Sequence, residues 1–141
     1  MKKAKPEDVS KIISLLRGSF SYSWKKTNRK FHKNFVEKSI LEGIKKDIAI
    51  VEEDKGKIIC FGWAKKDFDF FGNKFGHIKL IVVSTEHQNK GLGKKVLKEL
   101  EKRLKTKDIR FACLEINGAK KIFVNWGYAP FLTTFRKKEL N

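Results

Sequence analysis

The chain has 141 residues, with 33 Lys and Arg against 16 Asp and Glu, a formal charge of +17. That length fits a single domain, 1–141, with a core of its own, and 40% apolar residues lies in the globular range once Gly is added. No apolar run reaches the length of a membrane span, and Met1-Lys2-Lys3-Ala4-Lys5-Pro6 lacks a signal-peptide core, so a cytoplasmic protein with no membrane partner is expected.

In chain order, Lys2 to Ala4 reads as a short first strand. Pro6-Glu7-Asp8 opens a helix, with Pro in the first turn and acids at the positive dipole end. Val9, Ile12, Ile13 and Leu16 continue it at helical spacing, and Gly18 is expected to end it. Residues 19–30 read as a loop or short helix. Phe31, Phe35, Val36, Ile40 and Ile44 mark a second helix closing near Gly43. Asp47 to Glu52 alternates as a strand, Asp54-Lys55-Gly56-Lys57 turns the chain, and Ile58 to Lys66 returns. Gly72-Asn73 marks another turn before a central apolar strand, His77 to Val83. Leu92, Val96, Leu97, Leu100 and Leu104 then share one helical face. Ile109 to Ile116 reads as a strand, Asn117-Gly118 opens a short helix that Gly127 ends, and Tyr128 to Arg136 reads as a final strand or hairpin. The expected class is α/β, a mixed central sheet with helices on both faces.

Cys60 and Cys113 each sit in an apolar, strand-like run, which favours two buried free thiols over a disulfide. No Cys/His cluster has zinc-ligand spacing, so no metal is expected. The lysines are spread along the chain, which favours a solvated basic surface over a dedicated nucleic-acid interface.

The stretch from His77 to Leu104 organises the rest. A strand runs through Ser84-Thr85-Glu86-His87 into Gln88-Asn89-Lys90-Gly91-Leu92-Gly93 and directly into a helix. A helix start offers unpaired N–H groups and partial positive charge, so this arrangement suits an anion. A Walker A loop is excluded, because position 88 is Gln and position 95 is Lys. The dinucleotide fingerprint is excluded by Val96 where it needs a third Gly. The remaining pattern, Gln-x-x-Gly-x-Gly after a strand, resembles the acetyl-CoA pyrophosphate loop of the GNAT superfamily of N-acetyltransferases. The resemblance covers nearly the whole chain and is most specific over 84–94 and 117–128, where Trp126-Gly127-Tyr128 closes an aromatic-rich helix.

The resemblance implies the GNAT (acyl-CoA N-acyltransferase) fold and an N-acetyltransferase that moves an acetyl group from acetyl-CoA to a primary amine by direct attack. It implies a pyrophosphate cradle at Gln88, Asn89, Lys90, Gly91, Gly93 and Lys94. Backbone contacts to acetyl-pantetheine fall on Ile81, Val82 and Val83, and further contacts on Asn117 and Phe123. His77 stands where several members carry the general base, and an imidazole of pKa about 6.5 accepts a proton near neutrality. Glu86, His87 and Glu115 are weaker candidates. The chain departs from the family at Phe123, where a Tyr often protonates the leaving sulfur. Asn117 also aligns one residue late.

The acceptor, a small molecule or a protein amine, stays open, as does oligomeric state. Phe20 to Phe35 and Asp67 to Phe75 are the segments expected to select it; Asp67 and Asp69 read more readily as solvated hairpin acids than as amine anchors. Two alternatives remain: a noncatalytic acyl-CoA-binding relative, prompted by Phe123, and a basic nucleic-acid-binding domain. Against the second, the sequence carries no RNP-type aromatic motif, and its 12 Phe residues are expected in the core.

Overall fold

The computed structural model describes residues 1–26, 29–113 and 119–138, with side chains over 1–19, 29–113 and 120–138. The elements are β1 (Lys2–Lys3), α1 (Val9–Lys26), α2 (Lys33–Lys46), β2 (Ile48–Asp54), β3 (Lys57–Phe68), β4 (Lys74–Val83), α3 (Leu92–Leu104), β5 (Ile109–Phe111) and α4 (Ala119–Asn125). The sheet order is β1-β2-β3-β4-β5, antiparallel except for the parallel β4–β5 pair.

Alternation along β2 and β3 supplies two apolar faces, and each face has its own helices. Ala49, Val51, Phe61 and Val82 pack with Ile12, Ile13, Leu16, Ile40 and Ile44 of α1 and α2. Ile50, Cys60, Ala64 and Ile78 pack with Val96, Leu97, Leu100 and Leu104 of α3. Gly62 lets α3 lie directly on β3: a Cβ there would stand 2.4 Å from Val96 Cγ1. Lys55 (φ 52°) and Gly56 (φ 79°) take the two left-handed positions of the β2–β3 hairpin.

Several boundaries differ from the sequence reading. A 3-10 turn, Pro6–Asp8, precedes α1, and Asp8 accepts the Lys5 N–H at 2.8 Å. Helix α1 runs through Gly18 to Lys26, since an amphipathic stripe packed on the sheet outweighs the roughly 1 kcal/mol cost of one glycine. Helix α2 starts at Lys33 and passes Gly43 to Lys46. Gly43 serves packing instead, because a Cβ would meet the Trp63 ring at 2.5 Å. Strand β5 stops at Phe111, and residues 114–118 lie outside the described set. The strand expected over Tyr128 to Arg136 is not formed among the described residues. Cys60 is buried as expected, but Cys113, two residues past the end of β5, is exposed. The Phe residues are not collected in the core either: Phe61 is buried, while Phe35, Phe68, Phe70, Phe71, Phe131 and Phe135 are exposed.

Candidate active site

Strand β4 carries an extra residue. Trp63 pairs with Leu80 and Ala64 with Ile78, so Lys79 has no opposite number in β3. This bulge switches the backbone phase of the strand. Before it, Gly76 N–H points at β5 and donates to Asp108 O at 2.8 Å. After it, Ser84 N–H points at β3 and donates to Ile59 O at 2.7 Å. Counting back from Ser84 with period two, Val82 also faces β3, while the N–H and C=O of Ile81 and Val83 face the β5 side. The β4–β5 ladder covers only Gly76, His77 and Ile78. Past Ile78, among the described residues, that edge of β4 has no strand partner.

The loop at the open end of this edge is held by its own side chains. A 3-10 turn, Thr85–His87, follows β4. Ser84 Oγ meets His87 Nδ1 at 2.8 Å, and His87 Nε2 lies 3.5 Å from Asp54 Oδ2, tying the turn to the β2–β3 hairpin. Gln88 Nε2 donates to Val83 O at 3.1 Å, so this side chain braces the loop. Asn89 (φ 63°) and Gly91 (φ 80°) take left-handed conformations. Gly91 caps α3 with no side-chain hydrogen bond, and its Cβ position is open space. The first intrahelical bond recorded at this end is Lys95 N–H to Gly91 O. The N–H groups of Leu92, Gly93 and Lys94 therefore have no backbone acceptor among the described residues, as expected at a helix start. Lys90, Lys94 and Lys95 are exposed around them. A shallow groove continues along α3 past Lys98 and Lys102.

Helix α4 closes this region. Trp126 lies 3.1 Å from where a Gly93 Cβ would stand. Phe123 packs between Phe111 (4.4 Å between centroids) and Trp126 (5.4 Å). Tyr128 is held away from it: its hydroxyl is buried beside Glu101 on the far half of α3, and burial pushes its pKa up to about 12. It is thus no stand-in for the missing tyrosine of α4. Asn117 and Glu115 lie outside the described residues.

His77 stands at the other end of β4, on the α1/α2 face, opposite Lys65 of β3. It is about a third exposed. Burial is the largest influence on its pKa and lowers it below the ordinary imidazole value; Lys79 lowers it further, and Asp67 pulls the other way. Asp67 Oδ2 lies 3.8 Å from His77 Nδ1, too long for a hydrogen bond. His77 is therefore neutral and able to accept a proton at pH 7. Phe75 flanks it at 6.0 Å. Glu86 and His87 belong to the loop end of β4, away from His77. Asp69 is a turn residue: it accepts from the N–H groups of Phe71 and Asn73 and pairs with Arg110 at 3.1 Å. The sequence reading missed Trp63 and Lys79, which complete the floor beside His77. Among the described residues no cluster of three metal-ligating side chains forms, and no helix is long and apolar enough to cross a membrane.

Residues 9–121 match the model of the acetyltransferase (GNAT) family. The chain belongs to the GNAT acetyltransferase family. Solved structures agree with the GNAT fold at low identity. A tetramutant of the BH1408 protein from Bacillus halodurans superposes with TM-score 0.83 at 14% identity, covering 96% of this chain and 97% of that one. Glucosamine-6-phosphate N-acetyltransferase from Arabidopsis thaliana gives 0.69 at 21%, covering 98% and 96%. Aminoglycoside 6'-N-acetyltransferase from Acinetobacter haemolyticus gives 0.75 at 11%, covering 99% and 98%. No curated protein matches this sequence. The bulge of β4, its edge past Ile78 and the glycine loop follow one another along the chain into α3.

Proposed function

We propose that the chain is an acetyl-CoA-dependent N-acetyltransferase acting on a primary amine. The observation that carries this reading is the edge of β4 past Ile78, which has no strand partner among the described residues and leads into the loop that opens α3. The residues present fit the cofactor. The uncapped helix start, with Gly91 leaving open space above it, suits a pyrophosphate, and Lys90, Lys94 and Lys95 supply countercharge. The β5-facing N–H and C=O groups of Ile81 and Val83 suit the amides of a pantetheine arm. Phe123 offers that arm an aromatic wall. Acetyl-CoA supplies the acetyl group as a thioester.

The chain's own residues then have distinct tasks. A primary ammonium has a pKa near 10.4 and is not a nucleophile. His77, neutral for the reasons above, takes its proton directly or through water, and the amine attacks directly. An N–H on the open edge of β4 steadies the developing oxyanion. Phe123 has no proton for the leaving thiolate. A thiol pKa near 8.5 makes that a smaller loss than it would be for an alkoxide.

Calorimetric titration with acetyl-CoA, with ATP and NAD as controls at moderate salt, tests the cofactor assignment. Selective micromolar binding is expected; its absence in folded protein overturns the assignment. Thiol release over an amine panel tests turnover. The all-aromatic wall around Phe123 favours a second reading, an acyl-CoA-binding protein without activity. Tight binding with no thiol release above background for any amine would select it.

A further inference from the structure

The floor beside His77 is built from three strands on the α1/α2 face. Strand β3 contributes Trp63, Lys65 and Asp67; β4 contributes Phe75, His77 and Lys79; β5 contributes Arg110. Most charges on this floor are paired. Lys65 lies 3.7 Å from Asp67. Arg110 is held by Asp69 at 3.1 Å and Asp108 at 2.9 Å, and it stacks on Phe75 at 4.2 Å. The Trp63 indole N–H donates to Asp47 at the end of α2, at 3.0 Å, and the close approach of Gly43 fixes the ring. Lys79 differs. Its ammonium stands 4.9 Å above the centre of that fixed ring, and no carboxylate among the described residues lies within ion-pair distance of it. The bulge puts it there, because a regular strand would give position 79 a partner in β3. Lys79 is exposed, yet the ring below holds its head in place.

We infer that Lys79, poised on the Trp63 ring one alternation beyond His77, is an anion anchor, and that the acceptor is an amine carrying a carboxylate or phosphate. This rests on the acetyltransferase reading for the word acceptor, but the anion site stands on its own geometry. An unpaired cation beside the base repels a purely cationic amine and attracts one that brings its own negative group. A phosphate or carboxylate on Lys79 leaves the amine of a compact acceptor free to approach the imidazole. The ring beneath adds a flat apolar surface for the acceptor's carbon skeleton. Lys79 acts by positioning; it handles no proton in the reaction.

His77 is the reporter of this site. Among the described residues, the charged groups facing it are Lys65 and Asp67 from β3 and Lys79 on its own strand, with Arg110 on the paired β5 residue already neutralised by two carboxylates. The test is an NMR titration of the His77 ring against pH. It is run with inorganic phosphate and with chloride at matched ionic strength, in the full chain. Phosphate on Lys79 should raise the His77 midpoint by about half a pH unit. Lys79→Met keeps the stem over Trp63 and removes the charge: its midpoint should start higher and respond to phosphate no more than to chloride. Lys79→Arg should restore the response. No phosphate-specific shift in the wild type, or the same shift in Lys79→Met, overturns the inference. Phosphate held at the glycine loop does not mimic it, because His77 to Val83 spans about 20 Å of strand.

Turnover separates the two anion sources. Glucosamine 6-phosphate is compared with glucosamine, and alanine with alaninamide. The member of the preferred pair that carries the phosphate or carboxylate should show a KM at least tenfold lower than the member that lacks it. Lys79→Met should erase that ratio, with the change falling on the KM of the member that carries the anion. Equal KM values for both members of each pair count against the inference. A phosphate-dependent His77 shift in a protein that does not bind acetyl-CoA would leave the anion site standing and remove the acetyltransferase reading.

Discussion

Replacing Gly91 separates the backbone strain of the loop from its charge. Gly91 has φ 80° and open space where a Cβ would stand. Gly91→Ala therefore costs only the left-handed strain, about 1 kcal/mol. That strain is present with and without ligand, so it lowers Tm by a few degrees and leaves cofactor affinity nearly unchanged. Gly91→Glu adds the same strain and also one negative charge at the mouth of the helix start. At about 6 Å from a doubly charged pyrophosphate, with an effective dielectric constant between those of protein surface and water, the repulsion is about 2 kcal/mol. That is about a 30-fold rise in Kd for acetyl-CoA. Calorimetry at two salt concentrations reads it, and the gap between the two variants should narrow as salt rises. Equal affinities for Gly91→Ala and Gly91→Glu would mean that the pyrophosphate is not held at this helix start.

Three other outcomes follow from the geometry. Gly62→Ala forces a Cβ against Val96 at 2.4 Å and should destabilise the fold by about 1–3 kcal/mol, seen as a lower midpoint in denaturant; an unchanged midpoint would contradict the direct seating of α3 on β3. Cys113 is exposed, whereas Cys60 is buried with its thiol pushed up to about 11, so a thiol reagent should label one site in native protein and two after unfolding. With a responsive acceptor, kcat/KM should fall on the acid side with a midpoint below the ordinary imidazole value, because burial and Lys79 both favour neutral His77. His77→Gln should remove that limb and lower the rate by about 10²-fold or more. A near-normal rate with the limb intact would remove His77 from the mechanism.

Periodicity and punctuation alone placed the two kinds of element that matter most. The α3 stripe from Leu92 to Leu104 and the turn before it were legible because apolar spacing and glycine chemistry are local properties. The turn at Lys55-Gly56 was legible for the same reason. Boundaries decided by packing were not. Gly18 and Gly43 read as helix ends, but α1 and α2 continue because their stripes have a sheet to lie on, and Gly43 is small to admit Trp63. The 12 Phe residues read as core by composition, while position in three dimensions leaves many of them at the surface.

The bulge at Lys79 is the sharpest division between the two levels. The run Ile78-Lys79-Leu80-Ile81-Val82-Val83 is apolar at nearly every position, so no alternation reveals its phase. The sequence determined that an apolar strand with His77 at its start leads through a glycine turn into a helix start. Only the tertiary structure decided which backbone groups open toward β5 and which lysine is lifted over Trp63. Register depends on the partner strand, and a slip of one residue exchanges every inward group for an outward one.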